Sequence, residues 1–226
     1  TYAPATSAQT VSVGVGSQSI VNLAAKVGGV AVSQLPVGAT AALSATATPS
    51  GLPVTFISQT ASTCRVDGNT TVGFTVTALL DGLCTLRASQ DGTGGNYSAA
   101  TPVTLALTVL KLQTISFPAL TGPLTAGVPA TLQASTTASP PASYPVSFIS
   151  LTPDQCSVSG DTGAGFRVHG LIAGSSNCWV VARQAGDATY APATSVLQQL
   201  SVLKGTQTIT FATPSPLSVG GTQPLS

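Results

Sequence analysis

Glutamate and methionine are absent from the 226 residues, tryptophan and histidine occur once each, and only seven basic and six acidic side chains are present. Glu and Met, with Lys, Arg and Leu, supply most positions of ordinary helices, so their absence argues against a helical protein. Charge this sparse is also far below the roughly 25% of an average soluble domain. The net charge is +1, and the basic residues are scattered from Lys26 to Lys204, which leaves no footprint for DNA or RNA. Long uncharged stretches such as 112–153 exist, but Pro, Gly, Ser or Thr interrupts them every few residues. None can run as a membrane-spanning helix. No apolar leader opens the chain, so the expectation is a processed protein or a window from a longer one. What is present is 43% hydrophobic residues, too many for disorder, with 23 glycines and 16 prolines. Thr, Val, Ser and Ala fill the rest, a composition that favours pleated, half-buried strands.

Self-similarity organises this material. Gln18, Gln113 and Gln207 each stand in a Q-[ST]-I context, 95 and 94 residues apart. Tyr2, Tyr97 and Tyr190, in TYAPAT, NYSAAT and TYAPAT, are 95 and 93 apart. Cys64 and Cys156 differ by 92, Cys84 and Cys178 by 94, and PVTFIS and PVSFIS by 92. A fixed period of about 93 residues marks a tandem array. With each unit opening at its glutamine, residues 17–111 and 112–204 form two repeats. Residues 1–16 match a closing strand of a preceding repeat, and 205–226 match the opening strands of a following one. The expectation is a segment of a longer array; the alternative is a permuted domain whose halves pair across subunits.

Within each repeat, short alternating segments such as TAALSAT, PVTFIS, GFTVTAL, CTLRAS and PVTLALTV are separated by turn clusters including PSG, DGN and DGTGG. That cadence predicts about seven strands, an all-β immunoglobulin-like sandwich. Only Lys111 and Leu112 separate the last strand of one repeat from the opening of the next, so a stiff rod is expected.

The string Q-T-I-T-F, L-S-V-G-G-T, G-L-P-V-T-F, C-T-L-R-A-S-Q, N-Y-x-x-A-T and T-V-L-K resembles the bacterial Ig-like repeats of large secreted surface proteins, along the whole chain. The resemblance implies tandem sandwiches. It covers adhesins, stalks, surface fibres and non-catalytic regions of secreted enzymes, so it implies architecture more firmly than activity. The second repeat departs from the first at PASYP and at GSSNC, where a repeat-specific contact would lie.

Four cysteines allow three pairings. Repeat symmetry selects Cys64 with Cys84 and Cys156 with Cys178, one disulfide per repeat, because other pairings would tie separate domains together. A four-thiolate zinc site lacks its C-x-x-C spacing, and the junctions carry Lys111 and Lys204 rather than the clustered carboxylates that calcium needs, so no metal or cofactor is expected. Disulfides imply an oxidising, extracytoplasmic compartment. Catalysis finds little support in His169 and six scattered aspartates, Asp67, Asp81, Asp91, Asp154, Asp161 and Asp187, with no G-x-S-x-G or H-E-x-x-H motif. Alternation in GFRVHG puts Arg167 and His169 on the solvent side.

Alternation in CWVVAR sets Trp179, Val181 and Arg183 outward if Cys178, Val180 and Ala182 face the core. An outward Trp is a natural contact anchor, so Trp179, Arg183 and His169 form the candidate interaction surface. Tyr97 and Tyr190 read as packing residues at a strand start. Asn69 and Asn96 head N-x-[ST] sequons in turns. The functional expectation is a structural, non-catalytic segment of a secreted surface fibre, filament or adhesin stalk that associates with copies of itself. Its rival is a module binding a surface glycan or protein.

Overall fold

A computed structural model of the chain describes residues 12–210, 213 and 216–222. The closing-strand reading of residues 1–16 therefore lies mostly outside the described residues, as does Tyr2. Contacts divide the described residues into two compact units: those up to Thr114 together with Ala185–Ala193, and Ile115–Gln184 together with those from Thr194. Both are all-β, and Pro141–Ser143 is the one helical turn among the described residues.

In the first unit the strands are β1 (Ser19–Val27), β2 (Val30–Val32), β3 (Gln34–Pro36), β4 (Thr40–Thr48), β5 (Thr55–Ser58), β6 (Cys64–Asn69), β7 (Gly73–Ala78), β8 (Gly82–Gln90) and β9 (Ala100–Leu110). One sheet has the order β2-β1-β4-β7-β6 and the other β3-β9-β8-β5. All pairs are antiparallel except β3 with β9, where Leu35 lies opposite Val109. This is the two-sheet arrangement of an immunoglobulin-like sandwich. The alternation read from the sequence sets the core: Cys84, Leu86 and Ala88 on β8 and Val76 and Ala78 on β7 are at most 1% exposed. Phe56 and Phe74 meet across the sheets with centroids 5.2 Å apart, and Cys64 is bonded to Cys84.

The second unit uses β10 (Ile115–Ser116), β11 (Leu124–Thr125), β12 (Ala130–Leu132), β13 (Ser135–Thr136), β14 (Ser147–Ser150), β15 (Cys156–Asp161), β16 (Gly165–Gly170), β17 (Ser175–Arg183) and β18 (Val196–Leu203). Its sheets run β11-β18-β17-β14 and β12-β16-β15, with β10 and β13 forming a separate pair. Again one pairing is parallel, β11 with β18, and Leu124 lies opposite Val202 as Leu35 does opposite Val109. Phe148 bridges Phe117 and Phe166 at 5.1 and 5.3 Å between centroids. The strand β10 is short because Pro118 follows Phe117 and carries no N–H for a ladder, whereas β1 continues to Val27.

Candidate functional site

Both disulfides form within a unit, Cys64–Cys84 and Cys156–Cys178, with Cα atoms 5.6 and 5.5 Å apart, and all four cysteines are fully buried. Each staples β6 to β8 or β15 to β17, that is, one sheet to the other. A repeated Ser-x-Thr pair surrounds the sulfurs. Ser58 Oγ lies 3.3 Å from Cys64 Sγ and accepts from Thr60 N–H, while Thr60 Oγ1 accepts from the backbone N–H of Thr85 at 2.9 Å. Ser150, Thr152 and Trp179 repeat the arrangement, with Trp179 N–H donating to Thr152 Oγ1 at 2.9 Å. These hydroxyls satisfy a backbone donor where the strands diverge, so ISQT and ISLT are packing motifs of the disulfide.

The candidate interaction surface is split by the fold. Trp179 and Arg183 sit on β17, on the side opposite the fully buried Cys178, Val180 and Ala182. His169 lies on β16, in the other sheet, where its Nε2 is 2.9 Å from Ser159 Oγ and the residue is half-buried. Trp179 and Arg183 therefore share a face, and His169 belongs to the opposite side of the sandwich. One expectation is corrected: Val181 is not solvent-facing but only 5% exposed. Register places it between Ile149 and Leu197, with Trp179 and Arg183 two residues away along the strand. Larger neighbours on both sides hide a small side chain without its entering the core. Ile149 and Leu197 remain 40% and 48% exposed, so the middle of this face is an apolar row. The first unit has Ile57, Arg87 and Thr104 in the same register, so a cation interrupts the row there.

The carboxylates lie apart. Asp67 pairs with Arg65 at 2.8 Å on an exposed strand. Asp81, distant from Lys111 in sequence, comes within 3.7 Å of its ammonium, which also stands 5.9 Å from the Tyr190 ring. Asp161 ends β15, and its Oδ1 accepts backbone N–H bonds from Ala164 and Gly163, both at 2.8 Å. Those donors favour the ionised form, the Ala164 bond most, and hold the carboxyl below the ordinary aspartate range. Asn69 plays the same part in the first unit, accepting from Thr71 and Val72. Its sequon thus sits in a turn that already uses its side-chain oxygen. Asn96 is exposed, and its backbone oxygen accepts from Gly16 N–H at 2.9 Å.

Sequence reasoning used Gln113 only as a repeat marker and passed over Gln90 and Gln184, and all three are buried. Gln18 donates to Ser98 O at 2.6 Å and also bonds Gln90 and Ser50, beside a parallel bridge between Gly16 and Tyr97. Gln113 donates to Ala191 O at 2.8 Å, beside the equivalent bridge between Lys111 and Tyr190. In both places Gly16 or Lys111 is clasped by the turn that carries the tyrosine. Lys111 N–H donates to Thr189 O, and Ala191 N–H to Lys111 O, each at 2.8 Å. These bonds place Ala185–Ala193 in the first unit although the sequence period counts them with the second repeat. The recurrence of Gln18 and Gln113 was the available signal: Gln18 is half-buried and Gln113 buried, and each donates to a carbonyl of the turn that carries the tyrosine.

No protein-family profile matches the chain, and no curated protein sequence does. Solved structures similar to it include the S-layer protein rSbsC, at 18% identity over 88% of this chain and 30% of that one, with a TM-score of 0.35. The fibronectin(III)-like modules of Clostridium thermocellum CbhA match at 18% identity over 80% of this chain and 94% of theirs, with a TM-score of 0.40. Immunoglobulin domains 1–4 of Sidekick-1 match at 11% identity over 84% and 49%, with a TM-score of 0.35.

Proposed function

We propose that the chain is a structural, non-catalytic segment of a secreted surface fibre, filament or stalk built from tandem immunoglobulin-like sandwiches. The observation that carries this reading is that each of two all-β units has its own closed core and its own inter-sheet disulfide. Disulfides of this kind persist in oxidising compartments, which is consistent with an extracellular location. Near-zero net charge on a Thr- and Ser-rich chain favours association, because little long-range repulsion opposes contact between copies. Electron microscopy of native surface material, labelled with an antibody to this chain and averaged for helical order, tests the proposal. Labelled filaments or beaded rods are expected, and label confined to globular soluble particles would overturn it.

A second reading, a module that binds a glycan or a protein, is favoured by one observation. The apolar row through Ile149, Val181 and Leu197, flanked by Trp179, exists in the second unit and is broken by Arg87 in the first. A contact specific to one repeat is what a recognition surface requires, and buried aromatic residues dominate such contacts.

A further inference from the structure

The pairing of β1 with β4 is interrupted by a bulge: Val21 lies opposite Thr46 and Ala24 opposite Ser44, so Asn22 and Leu23 together face Ala45 alone. Bulges re-aim side chains and leave backbone groups outside the ladder. Here the bulge opens a depression of about 540 Å³, in the range of small-molecule sites, lined by Asn22, Leu23, Lys26, Ser44 and Thr46 among others. Asn22 has φ 56°, the only non-glycine with positive φ among the described residues. Ser44 Oγ is the only buried side-chain oxygen or nitrogen there without a hydrogen-bond partner. Lys26 makes neither of the two ion pairs found among the described residues. One ammonium, one amide and the Thr46 hydroxyl therefore stand round one depression with no protein acceptor for them, while the Ser44 oxygen is closed off from its surface.

The fold itself does not require these groups. In the second unit the corresponding stretch reads Phe117 and Pro118 where the first has Asn22 and Leu23, and Thr121 where the first has Lys26. A smaller depression of about 240 Å³ remains there, lined by Ser116, Pro118 and Ser135 among others, without a cation.

We propose that the β1–β4 bulge is a binding site for an acidic monosaccharide unit, a uronic acid. A carboxylate matches the single charge of Lys26 and accepts from the Asn22 amide, a charge-assisted pairing stronger than a neutral one. The sugar hydroxyls exchange hydrogen bonds with the exposed Thr46, and the C–H face of the ring lies on the exposed part of Leu23. A phosphate dianion is a poorer match, since one ammonium answers half of its charge.

The test is a two-dimensional amide NMR titration of the full chain with sodium glucuronate, with glucose, acetate and inorganic phosphate as controls. Glucuronate is expected to shift the amides of residues 22–26 and 44–46 saturably, while glucose and acetate each bind at least tenfold more weakly. Lys26→Gln and Thr46→Val should each weaken glucuronate binding, Lys26→Gln at least tenfold, in spectra whose dispersion shows an intact fold. Shifts no larger than those from acetate or glucose, tighter binding of phosphate, or an unchanged titration in Lys26→Gln would overturn the site.

Discussion

At the scale of single residues, Asp161 and Asn69 occupy equivalent hairpin ends and accept the same two backbone bonds, yet only one of them titrates. Because the folded carboxyl of Asp161 is held below its unfolded range, it contributes stability above the unfolded value, near 4, and loses it as pH falls through the lower folded value. The β15–β16 turn should therefore loosen in acid while the β6–β7 turn does not. Hydrogen exchange at the amides of Gly163 and Ala164, compared with Thr71 and Val72, reads this directly. Asp161→Asn should remove the difference. Gln113 makes a second residue-scale prediction. It is 6% exposed and donates to Ala191 O, so Gln113→Leu leaves a carbonyl unsatisfied and should cost about 1–3 kcal/mol. Urea unfolding measures that cost, and faster exchange within 185–193 locates it.

The hairpins themselves rest on one conformation at Gly68 and Gly160, with φ 108° and 95°. An added Cβ would collide with the carbonyl oxygen of Gly73 or Gly165 on the facing strand, one residue before the register partner Phe74 or Phe166. Gly160→Ala is expected to destabilise the second unit by about 1–3 kcal/mol, because the left-handed backbone and the collision act together. Thermal unfolding shows the loss, and Gly163→Ala, at a position whose φ is not left-handed, gives the baseline. Sheet-to-sheet stapling is also a property of elements: the bond from β15 to β17 closes a loop of 22 residues. Replacing Cys156 and Cys178 together by alanine should cost about 2–5 kcal/mol. Removing only one cysteine would leave a free thiol, so the double variant is the one to follow by calorimetry.

For the molecule as a whole, the low charge and the apolar row on β14, β17 and β18 give a concentration-dependent expectation. Sedimentation velocity at rising loading should show association, and Trp179→Thr, which installs the residue found at position 85, should reduce it with little change in melting temperature. Trp179 is half-buried on the outer side of its sheet, so its loss removes contact area without opening the core. An association unaltered by this variant would move the contact elsewhere on the surface.

Composition and period determined the class, the β-strand cadence and the cysteine pairing, because each depends on local alternation or on a spacing that recurs. Val76, Leu86 and Val168 could be assigned to the core from alternation alone, and they are buried. Only the tertiary structure decided what lies across a strand or beside a bulge. Val181 is hidden by cross-strand neighbours from β14 and β18, which alternation along β17 does not encode. Lys111 meets Asp81 and Tyr190 through contacts that span 30 and 79 residues, and His169 parts from Trp179 because consecutive strands enter opposite sheets. The bulge at Asn22 likewise arises from pairing between β1 and β4. A strand's own sequence fixes which side of it is apolar, whereas its partners fix which of those side chains meet water.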